Sequence, residues 1–151
     1  MSRVQLALNV SDLDQAIEFY SKLFATEPAK VRPGYANFAV VEPPLKLVLI
    51  EGHGVGGSLN HLGVEVASTD EVAAANERLT GAGLACAVED QVSCCFAVQD
   101  KVWVEDPDGN QWEVFFVKAD SPVMTRVPMA AGCCTPKAAE ATKGSNGGCC
   151  G

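Results

Sequence analysis

An α+β fold of two tandem β-α-β-β-β modules is what this 151-residue sequence predicts, and three observations carry that prediction. Residues 4–10 and 60–66 alternate apolar and polar positions in the same register, as half-buried strands do. Each is followed by a capped, helix-periodic segment and then by further short alternating runs. A turn signal at Asp106-Pro107-Asp108-Gly109 delivers the last run, where one carboxylate, Glu113, stands among Trp112, Val114 and Phe116. Neither module can bury a sheet face alone. Pairing them into one curved mixed sheet with the helices outside is therefore the economical arrangement.

In the first strand Val4, Leu6, Leu8 and Val10 share a face and Gln5 lies on the other. Ser11, Asp12 and Asp14 cap a helix whose Leu13, Ile17, Tyr20 and Phe24 recur at helical spacing, with Pro28 as its stop. Gly34 opens two further strands, 35–42 and 45–51, joined by Pro43-Pro44, and residues 52–58 form a glycine-rich connection. Residues 60–66 then lay over 4–10, so that Leu62, Val64 and Val66 match Leu6, Leu8 and Val10, and His61 falls on Gln5. A second helix opens at Ser68 or Thr69, carries Val72, Ala75, Leu79 and Ala82 on one face, and ends at Gly81 and Gly83. Strands at 85–89, 101–105 and 111–117 complete the second module.

By strand alternation Gln5, His61 and Glu113 all point into the concave side of such a sheet. Aligning Lys46-Leu47-Val48 with Trp112-Glu113-Val114 puts Leu47 at the fourth corner and makes that corner apolar. The domain accordingly spans 1–118, as modules of about 1–51 and 59–118. Residues 119–151, rich in Ala, Gly, Ser, Pro, Lys and Thr without apolar period, read as a disordered tail.

Eleven Lys and Arg against 19 Asp and Glu give a net charge of -8, which argues against nucleic acid or an anionic membrane as partner. No apolar run approaches the roughly 18 residues of a spanning helix, and the N-terminus lacks the order of a signal peptide. A cytoplasmic protein is expected. Of seven cysteines, Cys86 stands alone while Cys94-Cys95, Cys133-Cys134 and Cys149-Cys150 are adjacent pairs. Neighbouring cysteines make strained disulfides, so in a reducing compartment such pairs suit soft metals or metalloids as thiolates.

Taken alone, His61 reads as a hydrogen-bonded core histidine. Three polar side chains at matching places in a duplicated fold point instead to a site. Gln5, His61 and Glu113 offer a neutral oxygen, an imidazole nitrogen and a carboxylate, a set like the facial triad of non-haem Fe(II) centres with open positions. Zinc stays open as an alternative, although structural zinc prefers four protein ligands. His53, in the glycine-rich loop, is expected in solvent. Cys94 and Cys95 lie between two strands, where they converge on a thiophilic ion only if the segment is a loop. Otherwise they are two small buried hydrophobes.

The segments Arg3-Val4-Gln5-Leu6-Ala7-Leu8, Arg32-Pro33-Gly34-Tyr35-Ala36-Asn37-Phe38, Pro43-Pro44-Leu45-Lys46-Leu47, Asn60-His61-Leu62-Gly63-Val64 and Cys94-Cys95 through Trp103-Val104 resemble the carbon-arsenic lyases and the related cadmium-induced proteins. These belong to the vicinal oxygen chelate superfamily of glyoxalases, extradiol dioxygenases and antibiotic-resistance proteins. The likeness covers residues 1 to about 118. It implies an Fe(II)-dependent oxygenase that uses dioxygen to split the carbon-arsenic bond of trivalent organoarsenicals such as methylarsenite, giving arsenite. Gln5, His61 and Glu113 would hold the iron, and Cys94 and Cys95 the arsenic. The tail pairs lie outside the motif and would serve to capture substrate. Two other readings remain, a non-catalytic cadmium- or arsenite-binding resistance protein and a glyoxalase-like metalloenzyme. Sheet edges that pair between subunits leave a homodimer open.

Overall fold

Both helices begin at side-chain caps. Asp12 accepts a hydrogen bond from the Gln15 amide ahead of α1 (Leu13–Phe24), and Ser68 does the same for Glu71 ahead of α2 (Thr69–Gly81). α1 ends at Ala25, whose φ of 48° breaks the helix before Pro28 is reached. The computed structural model describes residues 2–122 apart from Cys95, and of Cys94 the backbone alone. The tail pairs Cys133-Cys134 and Cys149-Cys150 lie outside the described residues.

The strands are β1 (Arg3–Val10), β2 (Lys30–Arg32), β3 (Tyr35–Val40), β4 (Leu45–Glu51), β5 (Leu59–Glu65), β6 (Cys86–Cys94), β7 (Ala97–Glu105) and β8 (Gln111–Asp120). They form one eight-stranded mixed sheet in the order β2-β3-β4-β1-β5-β8-β7-β6. Each module pairs its first strand in parallel with its last, β1 with β4 and β5 with β8, and an antiparallel β1–β5 pair joins the two modules. β2 escapes the sequence pattern because its three residues, Lys30, Val31 and Arg32, are partly or largely exposed and show no alternation. β6 and β7 run longer than expected and meet as a hairpin, and β8 continues to Asp120, past the boundary at 118.

The helix-covered face carries the apolar core. Phe38, Leu47 and Leu49 are buried with Leu13 in one cluster, against which Leu6, Leu8, Ile17, Tyr20 and Phe24 pack. Val72, Ala75, Leu79 and Val102 form its counterpart, flanked by Val104, Val114 and Phe116. Leu47 therefore does not face the cup, contrary to the sequence alignment. Gln5 pairs with Lys46 and Leu6 with Leu47, whereas Leu62 pairs with Trp112 and Gly63 with Glu113. The modules are thus offset by one residue from the assumed match. Val48 occupies the place equivalent to Glu113, and it is buried with Ala7, Tyr35, Ile50 and Phe96. The fourth corner is still apolar, through a different side chain. No helix among the described residues is long and apolar enough to cross a membrane.

Candidate metal centre

Three adjacent strands bring the site together. Gln5, Gly63 and Glu113 lie in one row across β1, β5 and β8. The middle position has no side chain, and a Cβ there would meet Glu113 Cγ at 3.0 Å. Gln5 therefore reaches Glu113 across the bare backbone of Gly63, with Nε2 donating to Oε1 at 2.6 Å. His61 stands two residues earlier on β5. Its Nε2 is 3.0 Å from Gln5 Nε2 and 3.4 Å from Glu113 Oε1. All three side chains are at most 3% exposed. The alternation in the sequence thus places Gln5, His61 and Glu113 together as expected.

A fourth buried group was not anticipated. Lys101 on β7, 1% exposed, donates from Nζ to Glu113 Oε2 at 2.7 Å. Its ammonium also lies 5.1 Å from the centroid of Trp103, whose ring meets His61 edge-on at 5.6 Å. Burial alone raises the Glu113 pKa. The Lys101 charge is the largest contact opposing it, and the carboxyl is held at about 2. The signal was available in Lys101-Val102-Trp103-Val104. Val102 joins the helix-side core, which turns Lys101 toward the face that holds Glu113.

The orientation of His61 is set by a bulge. Ala7 pairs with His61 and Leu8 with Leu59, so Asn60 is the extra residue. That kink lets the Asn60 side chain reach its own neighbour, with Oδ1 at 2.7 Å from His61 Nδ1. Asn60 Nδ2 donates to Asn9 Oδ1 at 2.9 Å, and Asn9 Nδ2 donates to Ser58 Oγ at 2.9 Å. With its nitrogen committed, Asn60 presents its oxygen to Nδ1, which must then carry the proton. Nε2 is left with its lone pair aimed at Gln5 and Glu113, as a metal ligand requires.

Gln5, His61 and Glu113 present a triangle of atoms with edges of 2.6, 3.0 and 3.4 Å. Three mutually cis ligands at about 2.1 Å from a cation stand about 3.0 Å apart, so the triangle has the size of one octahedral face. Turning the Gln5 amide exchanges its nitrogen for an oxygen donor. Among the described residues no cluster of three or more His, Cys, Asp or Glu could hold a metal, so the glutamine is needed to complete the set. These donors fit a divalent ion that accepts mixed nitrogen and oxygen ligands. They do not offer the four-ligand sulfur and nitrogen set of structural zinc. His53 is exposed in its loop, as expected.

Cys94 closes β6 opposite Ala97, and Cys95 and the side chain of Cys94 fall outside the described residues. The next residue, Phe96, has φ 59° and is buried among Ala7, Tyr35, Val48 and Ile50, its ring 5.3 Å from that of Tyr35. Ala7 is the partner of His61, so the hairpin end returns over the cup.

A duplicated module, one continuous curved sheet and a polar triad in its concavity define a class. The chain belongs to the glyoxalase/bleomycin resistance protein/dioxygenase superfamily, the vicinal oxygen chelate fold, whose family model matches residues 3–114. Within it the chain is similar to a protein of Thermomonospora curvata named trivalent organoarsenical cleaving enzyme, 59% identical over 138 residues and 91% of each chain. It is also similar to the cadmium-induced protein CadI of Mycobacterium tuberculosis, 64% identical over 121 residues and 80% of each chain. Among solved structures, an extradiol ring-cleaving dioxygenase of Brevibacterium fuscum superposes with a TM-score of 0.59 at 21% identity, covering 78% of this chain and 33% of that one.

Two outcomes follow from the buried pair. Because the Glu113 pKa is lowered from 4.5 to about 2 in the fold, its carboxylate stabilises fully above the upper value and progressively less as pH falls toward the lower one. Urea unfolding of metal-free protein should show a midpoint that drops across this window, and a Glu113→Gln/Lys101→Met double variant should lose that part of the drop. Lys101→Met alone leaves Glu113 buried without its cation, which costs about 3 to 5 kcal/mol. The metal-free variant should therefore melt lower than wild type, and a divalent cation should raise its Tm by more than it raises that of wild type.

Proposed function

We propose that this protein is a non-haem Fe(II)-dependent oxygenase that cleaves the carbon-arsenic bond of trivalent organoarsenicals such as methylarsenite and releases arsenite. The observation that carries the reading is the 59% identity, across 91% of both chains, to a relative named for organoarsenical cleavage. The buried donor triangle supports it, because an oxygenase needs a centre that leaves coordination positions for dioxygen and substrate. Gln5, His61 and Glu113 would hold the ferrous ion, which supplies the electrons that activate dioxygen.

The remaining roles belong to side chains. Lys101 keeps Glu113 ionised well below neutral pH, so the carboxylate is available as a ligand without first losing a proton. Asn60 keeps the proton on His61 Nδ1 and off Nε2. Trp103, Phe115, Val48 and Ile50 wall the cup with apolar surface and limit water at the reacting carbon. Cys94 and Cys95, carried at the end of β6, would anchor arsenic as a dithiolate and so convert an encounter into a positioned reaction. Such thiolates require the reducing conditions of the cytoplasm.

The 64% identity to proteins named for induction by cadmium favours one second reading, in which the same thiols sequester a soft ion without chemistry. Oxygen uptake separates the two. Iron-loaded protein given methylarsenite in an oxygen electrode should consume dioxygen while arsenite accumulates. The Cys94→Ser/Cys95→Ser variant should turn over at least about 10²-fold more slowly through loss of positioning. Tight cadmium binding with no oxygen consumption would establish sequestration instead, and wild-type turnover by the double-serine variant would remove the anchoring role.

A further inference from the structure

One buried carboxylate takes no part in the cup. Asp100 on β7 is 1% exposed, and its two oxygens accept from three different elements. Oδ1 accepts from the backbone N–H of Gln91 on β6 at 2.9 Å. Oδ2 accepts from Thr69 Oγ1 at the start of α2 at 2.7 Å and from Lys118 Nζ on β8 at 2.6 Å. Burial raises its pKa, but the Lys118, Gln91 and Thr69 contacts outweigh that and lower it below the usual carboxylate value.

The strands on both sides of β7 lose register at this level. Glu89 pairs with Lys101 and Val92 with Gln99, which leaves Asp90 and Gln91 opposite Asp100. Gln99 pairs with Val117 and Val98 with Ala119, which leaves Lys118 unpaired in the ladder. Each extra stretch hands one group to the same carboxylate. Gln91 does so from a left-handed backbone, φ 51°, that a non-glycine residue adopts only when its surroundings hold it there. Paired bulges bend and twist a ribbon and redirect what lies beyond them. Beyond these lie Cys94, paired with Ala97, and Phe96, seated among Ala7, Val48 and Ile50. The Phe96 carbonyl is held from outside as well, by Lys30 Nζ at 3.1 Å and Ser121 N at 2.9 Å.

We propose that Asp100 is a positioning residue: by tying both bulges to the start of α2 it aims the β6–β7 hairpin end, where Phe96 is seated, over the cup. Its consequence for catalysis rests on the thiol-anchoring role proposed above. Its consequence for the hairpin does not.

The test uses the full chain with Cys133, Cys134, Cys149 and Cys150 changed to serine, which removes competing thiol pairs. Into this background go Asp100→Asn, the milder Lys118→Met, and Asp100→Asn/Gln91→Gly. Amide exchange, Co(II) affinity, phenylarsine oxide affinity and, on the iron-loaded protein, KM and kcat are read for each. For Asp100→Asn, exchange across residues 91–98 should quicken by about tenfold while β1 and β5 are unchanged. Phenylarsine oxide affinity should fall about tenfold and KM rise in step, with kcat and Co(II) affinity within about threefold of the parent. Lys118→Met should show the same pattern more weakly. Gly at position 91 holds a positive φ unaided, so the double variant should recover part of the affinity. Exchange that is unchanged at 91–98, or that rises equally in β1 and β5, would overturn the proposal, as would equal loss of Co(II) affinity. If Cys94→Ser/Cys95→Ser binds phenylarsine oxide like its parent, the thiol reading falls by itself, and the exchange pattern alone decides the role of Asp100.

Discussion

A carboxylate with 2% exposure in the middle of a sheet governs this molecule. Left unpaired, such a charge would cost several kcal/mol, and the fold would expel it or protonate it. Lys101 on one oxygen and Gln5 on the other make Glu113 tolerable as an anion. The same contacts determine what the cup can do. A site built only for stability would be served as well by apolar side chains of similar volume, since a buried ion pair seldom outperforms them. Retaining a charged pair here is better accounted for by ligand binding, where an ionised carboxylate beside an unprotonated imidazole nitrogen is needed.

Lys101 also places the site in balance. Lys101 pairs directly with Glu113 and the other two members of the triad are neutral, so the carboxylate is offset even without a bound cation. A divalent ion entering the triangle would meet the ammonium nearby, and Glu113 would then be shared between two cations. Metal affinity should consequently be lower than three bare ligands would give. Lys46, 8% exposed with its Nζ 4.6 Å from the Phe115 centroid, adds a second cation on the same concave face.

Much of this was legible in the sequence because the physics that sets it is local. Period-two alternation places Gln5, His61 and Glu113 on one face, and the repeat between 4–10 and 60–66 makes them converge. What was illegible depends on pairing across strands. Leu47 was put in the cup because the two modules were matched without a gap, and one residue of offset sends it to the helix face and brings in Val48. Strand β2 carries no apolar period, and it is held by its pairing with β3 and by the Lys30 contacts to Phe96 and Asp120. Lys101 was readable in principle, since a carboxylate on an inner face demands a cation and this lysine alternates with Val102. Choosing it required knowing that β7 lies beside β8.

The bulges show why the order of strands matters as much as their composition. At Asn60 one extra residue converts a strand neighbour, which should point away, into the acceptor that fixes the His61 tautomer. At Gln91 and Lys118 two extra residues meet one carboxylate and bend the hairpin whose end returns to Ala7 and Val48. Regular strands of this length would carry residues 94 to 97 straight past the cup, because an ideal ladder has no means of turning its own end inward. Irregularity in the sheet is therefore what lets residues far apart along the chain address one small volume. Substitutions that restore regular pairing at these points would improve the ladder and spoil the site.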